Sequence, residues 1–116
     1  MQLKTKRVYE PKADGDGMRI LVDRLWPRGL TKAEAAVDLW LKDIAPTTEL
    51  RRWFHADEGA WEEFRERYLA ELDGNPAAVD LLRQRIAEGP VTLLYSVKDE
   101  ARNHAEILKS YILAHR

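Results

Sequence analysis

The chain has no cysteine among its 116 residues. That excludes disulfides, a thiolate nucleophile and any cysteine metal site. No apolar run has the length that spans a bilayer, and the first residues show no signal-peptide core. The expectation is a soluble, cytoplasmic protein with no membrane partner. Charge of one sign is also lacking in excess: 19 Lys and Arg stand against 20 Asp and Glu, for a net charge of -1. A general nucleic-acid binder shows a basic surplus, so nucleic acid is disfavoured as a partner, although a local basic patch remains open. No Gly-rich phosphate fingerprint is present. Gly-x-Ser-x-Gly is missing, so Ser96 is not in a nucleophile elbow. There is no repeat, linker or low-complexity segment.

The residues that are present describe a globular domain. Hydrophobic residues make up 45% and charged residues 34%, which is not the composition of a disordered chain. A chain of this length buries enough surface for one core, so residues 1–116 read as a single domain.

Thr5 to Tyr9 is β-branched and aromatic and predicts a short strand. Glu10 to Gly17 holds a proline, two glycines and two aspartates and predicts a loop. Its acidic residues Glu10, Asp14 and Asp16 lack calcium-loop spacing and read as a solvated turn. Arg19 to Leu25 predicts a second strand, ended by Trp26-Pro27-Arg28-Gly29. Thr31 and Glu34 have capping-box spacing at a short helix. Val37, Leu39 and Leu41 alternate with polar positions and Trp40, which predicts a third strand from Val37 to Lys42.

Thr48 to Phe54 predicts a short helix. Asp57 is a candidate cap for the next, whose stripe is Trp61, Phe64, Tyr68 and Leu72. Gly74 ends that helix, and Asn75-Pro76 opens one with a stripe of Ala78, Val79, Leu82 and Ile86. After Gly89-Pro90, Val91 to Val97 is the clearest strand and is expected to be central and buried. Asp99 is the expected cap of a last helix with Ala101, Ala105, Leu108 and Ile112 inward. Strands interleave with helices, so the fold class is α/β: a small, mostly parallel sheet of about four short strands packed with helices. The link from Tyr9 to Arg19 is short for a parallel crossover. The first two strands therefore either pair antiparallel or are not neighbours.

Ligands of α/β sheets bind beyond the carboxyl ends of the strands. Two such ends carry charge: Asp23, Arg24 and Arg28, then Lys98, Asp99, Arg102, Asn103 and His104. Lys42 adds a third. Arginine forks grip phosphate or carboxylate in bidentate fashion, so Arg24, Arg28 and Lys42 are candidate anion ligands. Asp99 and His104 are candidates to move a proton. The structural alternative pairs Arg24 and Arg28 with Asp23, Asp43 or Asp99 and makes His104 a half-buried helix residue. His55, in an expected loop, and His115, at a helix end, lack partners at ligand spacing, so no metal and no cofactor is called for. Core packing is the default for the aromatics, with Trp26 and Trp53 the exceptions that suit a pocket wall.

The run Leu21-Val22-Asp23-Arg24-Leu25-Trp26-Pro27-Arg28-Gly29 resembles the YeaO-like family of small bacterial proteins of unknown function. The resemblance continues through Leu39-Trp40-Leu41-Lys42-Asp43-Ile44-Ala45-Pro46, Glu49-Leu50-Arg51 and Trp53-Phe54. It closes with Thr92-Leu93-Leu94-Tyr95, Lys98-Asp99 and Asn103-His104-Ala105. It implies a compact α/β fold, no established activity, and Asp23, Arg24, Arg28, Lys42, Lys98, Asp99, Asn103 and His104 as motif residues. A wider group is similar at a greater distance, with Val-Asp-Val-Arg at a strand end and a late Cys-His-Arg. Here Val22-Asp23-Arg24 and Asn103-His104-Ala105 stand in those places, so the cysteine and the last arginine are lost.

The expected function is binding of an anionic small molecule, a nucleotide or another phosphorylated metabolite, at the carboxyl edge of the sheet, with or without catalysis. The alternative is a non-catalytic regulatory or interaction module in which Arg28, Arg51 and Arg52 contact nucleic acid or protein. A pocket enclosing Asp23, Arg28 and His104 favours the first. A flat basic face with exposed Trp53 favours the second.

Overall fold

Val91–Tyr95 is buried at every residue because it has a strand on each side and packing on both faces. The computed structural model describes residues 2–56 and 60–114. It contains strands β1 (Leu3–Arg7), β2 (Met18–Leu21), β3 (Leu39–Trp40) and β4 (Val91–Tyr95). The helices are α1 (Lys32–Ala35), α2 (Thr48–Ala56), α3 (Trp61–Asp73), α4 (Pro76–Glu88) and α5 (His104–Ala114). The sheet order is β1-β4-β2-β3 and every pairing is parallel.

The first two strands are thus not neighbours. Leu3 and Met18 both pair with Val91, so β4 fills the space between them. The link from β1 carries a 3-10 turn at Asp14–Asp16 and re-enters the sheet through Gly17, at φ 65. Its glycine is required, because a Cβ there would lie 2.2 Å from the Pro90 carbonyl oxygen.

Strand alternation divides the core. Ile20, Val22, Val91, Leu93 and Tyr95 face the large cluster built with α2 to α5. Leu21 and Leu94 face a small cluster with Val8 and Ala35, covered by α1 and by Trp26, Leu30 and Val37. The stripes of α3 and α4 lie as the spacing predicts: Phe64, Tyr68 and Leu72, then Ala78, Val79, Leu82 and Ile86, are buried. Thr31 caps α1 in a reciprocal box with Glu34.

Several expectations are corrected. The second and third strands are shorter than predicted, and Lys42 lies in a 3-10 turn, Lys42–Ile44, rather than at a strand end. Asp99 does not cap α5, which starts at His104. The cap is Asn103, whose Oδ1 accepts the Glu106 amide at 2.9 Å. Asp99 instead closes a local turn by accepting the amides of Ala101 and Arg102. Ala101 accordingly lies outside the helix and is exposed. His55 lies in the last turn of α2, not in a loop. The cap expected at Asp57 and the placing of His115 lie outside the described residues.

Asp16 is not solvated either. It is buried and accepts from Arg19 at 2.7 Å, from Lys6 and from the Ala13 amide. The Arg19 side chain has no exposure and also donates to the Ala35 and Ala36 carbonyls. Burial raises the Asp16 carboxyl, but the Ala13 amide, Arg19 and Lys6 outweigh it and bring its pKa to about 2. This charge cluster holds the start of β2.

Candidate functional site

The last ladder bond of β2 is donated by the Val22 amide to the Leu94 carbonyl, so Asp23 stands just past the carboxyl edge of the sheet. Ser96 stands at the matching place after β4. Its amide and hydroxyl both donate to Asp23 Oδ2, at 3.0 and 2.6 Å. The Trp40 indole N–H donates to the Asp23 carbonyl at 2.7 Å, which fixes the backbone from the β3 side. His104, first residue of α5, brings its Nε2 to 3.0 Å from Asp23 Oδ1 and 2.9 Å from the Val22 carbonyl.

Both neighbours of Nε2 are acceptors, so this nitrogen carries the hydrogen. One hydrogen cannot fully serve two acceptors. The carbonyl takes the directed bond, and Asp23 Oδ1, though within ion-pair distance, is left without a hydrogen bond among the described residues. Burial raises the Asp23 carboxyl, yet the His104 imidazole and the two Ser96 bonds outweigh it, so the group titrates below an ordinary aspartate. Tyr68 meets the His104 ring edge-on at 6.1 Å and donates its hydroxyl to the Ile44 carbonyl. Its burial pushes the phenol far above its usual range.

Above this group opens a cleft of about 700 Å³ between the two strand-end loops and helices α2 and α3. Asp23, Arg24, Arg28, Lys98, Asp99, Asn103 and His104 all line it, although they come from two distant parts of the chain. Lys42 does not: it is exposed and lies over the Trp40 ring at 5.2 Å. Arg24 donates to the Ala45 and Pro46 carbonyls and anchors the loop before α2. The Arg28 carbonyl is held by the Tyr9 hydroxyl at 2.9 Å, which ties the turn to the end of β1. Arg7 fastens the Ser96 and Val97 carbonyls from the same side.

Arg51 and Arg102 also reach the cleft, so five permanent cations line it against the carboxylates of Asp23 and Asp99. None of the five is in an ion pair among the described residues. The pairings of Arg24 and Arg28 with Asp23, Asp43 or Asp99 are therefore not formed. The Arg102 and Ala101 amides hold the Asp99 carboxyl below its usual range. Asn103 uses its oxygen on the Glu106 amide and its nitrogen on the Asp99 carbonyl.

Among the aromatics, Trp26 lines the cleft, with its indole nitrogen bonded to the Leu30 carbonyl. Trp53 does not; it packs on the core under the Arg67 guanidinium, 4.4 Å from the ring centroid. Phe54 and Trp61 take the wall instead. Sequence reasoning missed Ser96 as the Asp23 partner, although its place directly after β4, like that of Asp23 after β2, was a signal. No group of His, Asp and Glu that could hold a metal occurs among the described residues.

The family model described as the inactive DUF488-N3 subclade matches residues 2–116. The chain belongs to this family. It is 46% identical over 112 residues to the uncharacterized protein YeaO of Escherichia coli, covering 97% of each chain. It is 39% identical over 107 residues to the uncharacterized proteins Mb3100c of Mycobacterium bovis and Rv3073c of Mycobacterium tuberculosis, covering 92% of this chain and 90% of theirs. No solved structure matches. The family is thus the YeaO-like one that the motifs resemble. No helix among the described residues is long and apolar enough to cross a membrane.

Proposed function

We propose that the cleft binds an anionic small molecule, of the nucleotide or phosphorylated-metabolite class, and that binding rather than turnover is its task. One observation carries this reading. A chain with net charge -1 gathers Arg24, Arg28, Arg51, Lys98 and Arg102 on one cleft, and none of them is in an ion pair among the described residues. Mutual repulsion makes such a cluster costly in the empty protein, and a bound anion relieves it. Arg24, Arg28, Lys98 and Asn103 are the proposed ligand-binding residues from the strand ends, joined by Arg51 and Arg102. Asp23 and Ser96 position His104.

Two observations support binding over catalysis. The Asp99 carboxylate is spent on two backbone amides, which suits a fixed turn rather than a proton carrier. Asn103, where the wider group has cysteine, has both amide atoms engaged. The family description, inactive, agrees with this. The proposed setting is the cytoplasm, where phosphorylated metabolites are abundant. The alternative, a face of Arg28, Arg51 and Arg52 contacting nucleic acid or protein, has less support. Arg28 and Arg51 converge on a concavity, Arg52 does not line it, and Trp53 is half-buried against the core beneath Arg67.

The test is a thermal-shift titration with phosphate and nucleotides on the wild type and Arg28→Ala. A ligand that prefers the folded state raises the unfolding temperature. The expected result is a shift in the wild type, a smaller one in the mutant, and a mutant at least as stable as wild type without ligand. No shift in either protein, with a destabilised mutant, makes Arg28 structural and removes the reading.

A further inference from the structure

We infer that the ligand of this cleft is an anion carrying a flat aromatic group, a nucleoside monophosphate being the type, and not a bare or sugar phosphate. This rests on the anion reading above and narrows it. The cations take up only part of the lining. Opposite the strand-end loops, Phe54 and Trp61 form a wall, with Phe64 behind them. The three rings hold one another: Phe54 to Phe64 at 4.5 Å, Trp61 to Phe64 at 5.5 Å, and Phe54 to Trp61 at 5.9 Å between centroids.

Phe64 is buried, whereas Phe54 and Trp61 stay half-buried and also border the cleft. Trp26 borders it from the other loop, held by its bond to Leu30 and its edge contact with Trp40 at 5.5 Å. Leu25, Val97 and Tyr9 extend the apolar rim. They account for three of the five large hydrophobic side chains exposed on the described surface. A site for inorganic phosphate has no use for such walls, because the ion presents only oxygen. Aromatic faces left partly open beside guanidinium groups suit a π-face joined to a negative charge. The cleft volume of about 700 Å³ lies in the range of small-molecule sites and leaves room for a base as well as a phosphate.

Isothermal titration with inorganic phosphate, ribose 5-phosphate, adenosine and adenosine monophosphate tests this on the intact chain. The expected order has the nucleotide at least about fivefold tighter than ribose 5-phosphate, the lower end of what one stacked base contributes. Trp61→Ala is expected to remove that advantage while leaving the affinity for inorganic phosphate unchanged. A wild-type readout guards against a variant that does not fold: the nucleotide quenches tryptophan emission and ribose 5-phosphate does not. Equal binding of all three phosphates overturns the aromatic inference and leaves the anion reading standing. Adenosine as tight as its monophosphate overturns the inference by removing the charge. No binding of any phosphate overturns both.

Discussion

The Nε2 atom of His104 lies 3.0 Å from Oδ1 of Asp23 and so joins the end of β2 to the first turn of α5. Ser96 completes the link from β4. One buried carboxylate thus holds together three chain segments that form the floor of the cleft. The stability of that floor should therefore change when this carboxylate is altered.

Asp23→Asn tests that link. It removes the negative charge and sets an amide against the His104 N–H, at an expected cost of about 2 kcal/mol for a buried charged hydrogen-bonding group. The Asp23 pKa is lowered in the folded protein, so its contribution is complete above the ordinary aspartate pKa of 3.8 and is lost as pH falls through the folded value. Urea unfolding at pH 7 and pH 3 checks both points. The gap between wild type and mutant is expected to narrow at the lower pH; a constant gap would assign the loss to packing.

Asp16→Ala leaves the Arg19 guanidinium buried without its counter-charge. The expected loss is about 3–5 kcal/mol, the range for breaking a buried pair from one side. The Asp16 pKa falls from 3.8 to about 2 on folding, so its stabilisation is present above 3.8 and fades as pH drops toward 2. Denaturation of the two proteins between pH 6 and pH 2 is expected to bring their midpoints together only below pH 4.

Asn103→Ala is expected to cost about 1 kcal/mol or more, because it removes the cap of α5 and leaves the Glu106 amide without its partner. Asp99→Ala is expected to cost less, since Asp99 is exposed and closes only a local turn. Thermal unfolding of the two mutants gives the order. A larger loss at Asp99 would return the helix start to the earlier position.

Gly17→Ala is the severe backbone change. The residue sits at φ 65 and its new Cβ would meet the Pro90 carbonyl at 2.2 Å, at the point where β2 enters beside β4. About 3 kcal/mol or more of destabilisation is expected, from strain plus a clash that only backbone movement relieves. Gly15→Ala, whose Cβ meets nothing nearer than the Lys4 Nζ at 3.5 Å, is the control and is expected to change stability little. Comparable midpoints for the two variants in a denaturation series would contradict the account of Gly17.

The sequence by itself determined what depends on near neighbours in the chain. The stripe of α3 from Phe64 to Leu72, the box of Thr31 with Glu34, and the apolar run of β4 are set by periodicity and local hydrogen bonding. So was the appearance of charge at two strand ends. Tertiary structure alone decided what depends on strand order and burial. Placing β4 between β1 and β2 sets Ser96 beside Asp23, and no local preference encodes that contact. Asp99 and Asn103 are both good caps, and local chemistry does not choose between them. The burial of Ala105, Leu108 and Ile112 against the sheet fixes the phase of α5 and selects Asn103. Asp16 reads as a turn residue until Arg19, Lys6 and Thr92 close around it, and Lys42 reads as a strand end until the chain turns there into a 3-10 helix. Five cations scattered over the chain become one cleft only because parallel strands end on a common edge while α2 and α3 fold back over it.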